Sequence, residues 1–439
     1  MNKRIAVAAL ACPNEVGFEW ADQQREQTVA VLKEKGLDVV EITTILQDCD
    51  CADRVAAEIK AADVEAVVIC VITWSEDNYV LQLLRGVDAP LVLHSFPHME
   101  TGSLCGTMQM TSVMRDIGFT NYKTVFAPAG SEESANGVLH ALAGLKTGSG
   151  EAKRPAFNIG AIGGRVLGMT EIAYDEFALF EKCGAVIIPI SEVELLDTVD
   201  AVSEDAVTAA LPLVEGRGYK ITSAPEAIRE SLRYYLAMKK LIEKYHLSGL
   251  AVKCYTRHMG KVCLGYSLLS DEGYVCACEG DVNNTVMMKI LRDLTGQCIN
   301  NTDILNPEVE TNTIIFAHCG SSGFSIAPSP ESVTLCPVRL QETGVCSLFM
   351  PKTGTVTLAD LVGHGDDLRM SVMVGEAVEG PMLFPGNQAK VRFDKPVLDI
   401  CQTVTDLACG HHWMVGYGDV SAQLEAYCRE NNIKYLRIV

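Results

Sequence analysis

Five short runs in the first third of the chain, residues 5–10, 38–42, 66–72, 91–94 and 124–127, are apolar with almost no alternation. A strand with one wet face alternates polar and apolar side chains, whereas a strand covered on both faces does not. Helical stretches are expected between the runs, at 19–35, 52–62, 76–86, 103–117 and 131–146. Strands alternating with helices leave one main solution, a doubly wound parallel sheet of the Rossmann-like kind. The run from Thr147 to Pro155, rich in Gly, Ser and charge, then reads as a linker.

A second α/β unit begins at Phe157-Asn-Ile-Gly160-Ala-Ile-Gly163-Gly164-Arg165. Its glycine spacing matches neither the dinucleotide fingerprint nor the P-loop, so the turn is expected to bring backbone and Arg165 near a substrate rather than to cradle a nucleotide. A strand at 186–190, helices at 203–215 and 224–246 and a strand at 250–254 follow, with Pro225 as a helix start. From about residue 325 the pattern changes to short β-like segments at 333–335, 354–358, 370–374 and 391–393, separated by Gly and Pro turns. That is the signature of an antiparallel barrel or sandwich. An amphipathic helix at 420–431 closes the chain.

At 439 residues the chain exceeds one ordinary core. Its net charge of −20 argues against nucleic-acid binding, which needs clustered Lys and Arg. No apolar run approaches the roughly 18 residues of a membrane span, and the short apolar N-terminus flows into a strand-then-helix pattern rather than a signal peptide. Seventeen cysteines without an export signal fit a reducing, cytoplasmic setting with mostly buried thiols. Cys49-Asp-Cys51 and Cys276-Ala-Cys278 are too tightly spaced for a structural zinc site.

The chemistry concentrates after residue 273. Gly273-Tyr-Val-Cys-Ala-Cys278 reads as a strand, Glu279-Gly280-Asp281-Val-Asn283-Asn284 as an acidic turn, and 286–296 as a helix with a glycine stop. Carboxylates at a strand's carboxyl end sit where α/β sheets bind ligands. Asp303 follows the next short segment, and two facing carboxylates repel unless a proton or a cation lies between them, which points to a hard divalent metal. The plain alternative is helix capping by Asp281 and Asn283 with solvated acids. His318 ends a further apolar strand, and Gly410-His411-His412-Trp413 stands near the end. Lys253 and the loop Tyr255-Thr-Arg257-His258-Met-Gly-Lys261 offer cations to an anionic group, or are a solvated basic surface.

Taken together, Cys278-Glu279-Gly280-Asp281, Asp303, His318-Cys319-Gly320 and Gly410-His411-His412, in this order and spacing, resemble the L-fucose and L-arabinose isomerase superfamily over nearly the whole chain. The resemblance implies three domains: Rossmann-like over 1–150, central α/β with the metal over 155–322, and β-rich over 323–439. It implies Glu279 and Asp303 as paired carboxylates that bind Mn²⁺ (Mg²⁺ or Co²⁺ as substitutes) and move protons. One of His411 or His412 corresponds to the distal ligand, and His318 to a further ligand of the arabinose branch. It implies a homotrimer or homohexamer with the site between subunits, drawing on helix 103–117 and Trp74. Arg165, Lys253, Arg257, His258, Lys261, Asp281 and Trp413 are the substrate-binding candidates. The Tyr255-Thr-Arg257-His258 stretch departs from a more apolar, tryptophan-containing segment of the family, so the sugar stays open. The expected activity is aldose–ketose interconversion of an open-chain monosaccharide, which needs a Lewis acid at O1 and O2 with an acid and a base. The alternatives are an isomerase of an anionic sugar, sulfonated or phosphorylated, and a sugar-binding relative without catalysis.

Overall fold

The computed structural model describes residues 3–146, 148 and 156–439. The linker expected at 147–155 lies, apart from Gly148, outside them. The chain divides into two units, Met1–Ala156 and Phe157–Val439.

In the first unit β1 (Arg4–Leu10), β2 (Asp38–Glu41), β3 (Ala66–Val71), β4 (Leu91–Ser95) and β5 (Tyr122–Phe126) form one parallel sheet in the order β2-β1-β3-β4-β5. Every residue of β3 and all but the first of β1 are buried, which is why these strands read as unbroken apolar runs. Helices α1 (Ala21–Glu34), α2 (Cys49–Ala62), α3 (Asn78–Gly86), α4 (Ser103–Asp116) and α5 (Glu132–Ala143) cover it. Two of them start on side-chain caps, Asp48 accepting from the Cys51 N–H and Ser131 from the Ser134 N–H.

The second unit opens with β6 (Phe157–Ile162), α6 (Glu176–Cys183), β7 (Ala185–Ile190), α7 (Glu192–Asp200), α8 (Glu204–Ala210), the two-residue β8 (Lys220–Ile221), α9 (Pro225–Lys244), β9 (Leu247–Val252), α10 (Cys263–Glu272), β10 (Val275–Ala277) and α11 (Val282–Thr295). A parallel sheet runs β10-β9-β6-β7. Then come β11 (Asn300–Glu308), β12 (Thr313–Ala317), β13 (Thr334–Val338), β14 (Thr343–Leu348), β15 (Gly354–Val362), β16 (Arg369–Ala377), β17 (Ala389–Arg392), α12 (Val397–Asp406), β18 (His412–Tyr417), α13 (Ser421–Glu430) and β19 (Lys434–Arg437). Strands β15-β18-β11-β12-β17-β16 close back from β16 to β15, so of the barrel or sandwich expected after residue 323 a barrel forms, with β19 alongside β16, and it takes in β11 and β12 from before that residue. Closure leaves no unpaired edge among those six strands.

Helix α11 joins the two sheets. Its residues from Val282 to Met288 are all buried, as a helix with no solvent face must be. Val282, Val286, Met287, Ile290 and Leu291 share one core with Ile159, Ala251 and Ala277 of the parallel sheet and with Ala359, Leu361, Met370 and Met414 of the barrel. Each such Val, Leu, Ile or Met side chain contributes about 1.5–3 kcal/mol on burial. No helix among the described residues is long and apolar enough to cross a membrane.

Candidate metal and sugar site

The site is built on the turn between β10 and α11. Glu279 adopts a left-handed backbone, φ 64°, which is strained for a residue with a Cβ by roughly 1–3 kcal/mol. Gly280 follows at φ 75°, and an added Cβ there would lie 2.3 Å from the Gly164 carbonyl oxygen. Only glycine fits that approach, and it brings the Gly163-Gly164-Arg165 turn against the acidic one. The Glu279 N–H donates to Cys254 Sγ at 3.4 Å and the Gly280 N–H to the Val252 carbonyl at 3.0 Å, so the turn is fastened to the end of β9. Asp281 then caps α11, its Oδ1 accepting from the Asn284 N–H at 2.9 Å.

The barrel supplies the opposing groups. Asp303 stands directly across from His412 in the β11–β18 register and from Ala317 in the β11–β12 register, and His318 is the next residue. Asp303 therefore lies within a barrel strand rather than at an adjacent strand end of the parallel sheet. Four atoms converge: His412 Nε2 is 3.1 Å from Glu279 Oε2 and 3.7 Å from Asp303 Oδ1, while His318 Nε2 is 3.9 Å from each carboxylate.

The charges of this group are coupled. Burial alone would depress His412, but its bonds to Asp281 and Glu279 hold it up to about 10. Burial would likewise depress His318, and the Asp303 charge with its Cys319 and Glu279 neighbours overrides it upward. Burial would raise Glu279, and the two imidazoles instead hold it well below the usual carboxylate range. The cluster thus balances two carboxylates against two bound protons. One divalent cation with neutral imidazoles balances the same charge.

The donor set fits such an ion. Donors about 2.1 Å from a small divalent ion lie about 3.0–3.5 Å from each other, close to the observed spacing. Asp303 Oδ1 is buried with no hydrogen-bond partner, as a ligand atom facing an ion would be. Asp281 Oδ2 accepts from His412 Nδ1–H at 2.8 Å, so Nε2 is the nitrogen that faces the cluster and would turn its lone pair to an ion on giving up its proton. Glu279, His318 and His412 form one potential metal group, and Asp303, His411 and His412 a second.

The other expected residues are placed as follows. His411 turns to the rim, where Nδ1 meets Glu171 Oε1 at 2.8 Å and its ring lies 4.0 Å from that of His412. Asp281 and Trp413 are fully buried, so Asp281 holds His412 from behind and presents no surface to a sugar. Arg257 and His258 both meet Glu192 Oε1, at 3.2 and 2.9 Å, and Lys261 meets Glu230 at 3.0 Å. The basic loop is thus already matched by acids. Arg165 donates to the Val166 carbonyl at 3.3 Å within its own turn. Lys253, half-buried at the end of β9, adds its charge to those of His258 and Arg257 around Glu192.

Four participants were not anticipated. Glu171 pairs with His411, and Asn301, two residues before Asp303 and on the same strand face, buries its carboxamide unpartnered. A period-two count back from Asp303 would have picked out Asn301. Asn284 Nδ2 donates to Asp281 at 2.8 Å and to Asp360 Oδ1 at 3.4 Å, and Asp360 Oδ2 accepts from the Gly410 N–H at 2.7 Å. These tie the Gly410-His411-His412 segment to α11.

No model of a known protein family matches the chain. It is similar to proteins named sulfoquinovose isomerase. That of Alkalicoccus urumqiensis is 23% identical over 387 residues, covering 85% of this chain and 86% of the relative. That of Priestia aryabhattai is 22% identical over 440 residues, covering 95% of each, and that of Clostridium sp. (strain MSTE9) is 23% identical over 376, covering 82% and 83%. A solved ribose 5-phosphate isomerase from Thermotoga maritima aligns with 34% of this chain and 92% of its own, at 15% identity and a TM-score of 0.21, too low to carry an argument.

Burial pushes the Asp360 carboxyl up to about 7 from an ordinary 3.8. A carboxyl with the higher pKa in the folded chain binds more protons when folded. Its contribution therefore favours folding at low pH and is lost as pH rises from about 4 to 7. Asp360→Asn, neutral throughout, is expected to flatten that part of the Tm–pH curve. A variant with the parent's slope would remove Asp360 from this role.

Proposed function

We propose that the chain is a metal-dependent aldose–ketose isomerase acting on a sulfonated hexose. The observation that carries the reading is the convergence of Glu279, Asp303, His318 and His412 on one point, with Asp281 orienting His412 from behind. The names of the relatives, matched over 82–95% of the chain, support the sugar-isomerase class. They favour the anionic sugar over a neutral one. Oxygen and imidazole donors together suit Mn²⁺, with Mg²⁺ or Co²⁺ as substitutes.

When bound, the ion supplies Lewis-acid stabilisation of the negative charge that develops on O1 and O2. Glu279 and Asp303 are the proposed proton-transfer groups for C1 and C2, because both carboxylates face the same point and neither is spent on a structural cap. Glu279, with a side chain 14% exposed, is held by its strained turn, and Asp303, 28% exposed, by the barrel register. Their different elements let them flank a substrate from two sides.

Glu279→Gln keeps shape and the left-handed backbone while removing the charge that holds a cation and the basicity that moves a proton. It is expected to lose turnover by several orders of magnitude with the fold intact, whereas a structural cap would tolerate the exchange at about 1 kcal/mol. Metal content and aldose–ketose conversion of a sulfonated hexose are measured on the same folded preparation. Full metal and near-parent turnover would overturn the assignment.

For the sulfonate, Lys253 is the proposed partner, since Arg257, His258 and Lys261 bond directly to acids, whereas Lys253 shares only the field of Glu192 and lies beside the β9 end that fastens Glu279. Lys253→Met is expected to raise KM for the sulfonated sugar by about 10-fold or more, as loss of a charge-assisted hydrogen bond does, with a smaller effect of Arg257→Ala. Equal KM for all three proteins, together with turnover of a neutral sugar, would restore the neutral-sugar reading.

A homotrimer or homohexamer is proposed as the working assembly. In the first unit Val16 follows β1, Met99 follows β4, and Leu104 and Met108 lie on α4; they are 57%, 96%, 42% and 63% exposed. Exposed apolar side chains of this size are costly in water and suit a second copy of the chain. Light scattering is expected to return three or six times the 47.5 kDa chain mass. A fully active monomer would refute it.

A further inference from the structure

Most thiols of this chain are inert by burial: Cys49 is pushed up to about 11, and Cys70 and Cys428 to about 12. One pair differs. Cys336 and Cys346 stand directly opposite each other in the β13–β14 register, with their sulfurs 3.8 Å apart. Residues directly opposite on antiparallel strands have Cα atoms about 4.5–5.5 Å apart, inside the range a disulfide spans. Cys336 is half-exposed and Cys346 is buried against Met259, Cys263 and Val338. The hydrogen bond from Cys346 holds the Cys336 thiol down to about 7 against its burial. Peroxide-reactive pairs have this division of labour, an accessible thiolate backed by a second thiol that resolves it.

We propose that Cys336 and Cys346 form a reversible dithiol–disulfide site that takes hydroperoxides as its oxidant. The Cys336 thiolate attacks one peroxide oxygen and the O–O bond breaks. The other oxygen leaves and is protonated to water or an alcohol, so the sulfur is oxidised by two electrons to a sulfenic acid as the peroxide is reduced. The Cys346 sulfur, giving up its proton, then attacks the sulfenic sulfur. The S–S bond forms, the S–O bond breaks, and hydroxide leaves with that proton as water. A small dithiol returns both residues to thiols by exchange. The site backs the segment that carries His318: the Ser347 N–H donates to the Gly320 carbonyl at 3.0 Å, and a Cβ on Gly320 would lie 3.2 Å from that of Cys346. The inference does not depend on the isomerase reading.

The full chain, reduced and desalted, is treated with hydrogen peroxide, alkylated and digested. Trypsin cuts after Arg339, between the two cysteines, so their disulfide appears as a linked pair of peptides by mass spectrometry. The linked pair is expected to form about 10-fold faster or more than oxidation of the exposed Cys105, and dithiothreitol should abolish it. Cys336→Ser is expected to leave Cys346 reduced, while Cys346→Ala is expected to leave a sulfenic acid at Cys336 that dimedone traps. If the second variant fails to fold, linkage in the parent and its loss in Cys336→Ser decide alone. Oxidation of Cys105 while Cys336 and Cys346 stay free thiols, or linkage of either to another cysteine, would overturn the proposal.

Discussion

The arrangement of the second unit depends on the Asp281 carboxylate. One oxygen caps α11 through the Asn284 N–H, and the other accepts from His412 on β18 at 2.8 Å. A helix between two sheets has two faces to align, and hydrophobic burial alone is indifferent to small rotations. A short, charge-assisted bond is not. Asp281 therefore sets the rotation of α11 against the barrel, and the same contact sets the tautomer of the histidine facing Glu279. Asn284 and Asp360 extend the link to the Gly410 backbone, so the strand start that carries His412 is fixed from both sides.

This explains why a cluster of like-charged carboxylates is tolerated in a protein of net charge −20. Asp281, Glu279 and Asp303 all reach toward His412, and each alone would be expensive to bury. Positive charge at the centre, carried by imidazoles or by a cation, removes most of that cost. The strain at Glu279 fits the same picture, since a left-handed non-glycine residue persists only where its surroundings over-determine it. Here the Cys254 and Val252 contacts and the close approach of Gly164 do so.

The layered α/β first unit and the antiparallel character of the last part were legible in the sequence because burial writes itself as periodicity, whereas β11 and β12, which precede the change in pattern, did not read as barrel strands. Strands covered on both faces leave unbroken apolar runs, and the change to short turn-bounded segments marks the antiparallel sheet. Helices α6, α7, α10 and α12 were not read. Two of them, α6 and α7, are only 8 and 9 residues long, and α10 is buried on nearly every side, so it carries no amphipathic stripe. The acidic turn was legible through residue type. The choice between His411 and His412 was not, because it is set by partners distant in the chain: Asp281 and Glu279 hold His412 and Glu171 holds His411.

The basic loop shows what a linear reading cannot carry. Three cations within seven residues suggest an anion site, yet their partners Glu192 and Glu230 lie well upstream, on α7 and α9. Only the fold brings those acids alongside. Lys253 is a single lysine at a strand end, with no pattern to mark it in the sequence. Cation density along the chain therefore does not say which ammonium is left to meet a ligand's charge. An anionic substrate is recognised by charge left unpaired after folding, and that quantity exists only once every acid has found its neighbour.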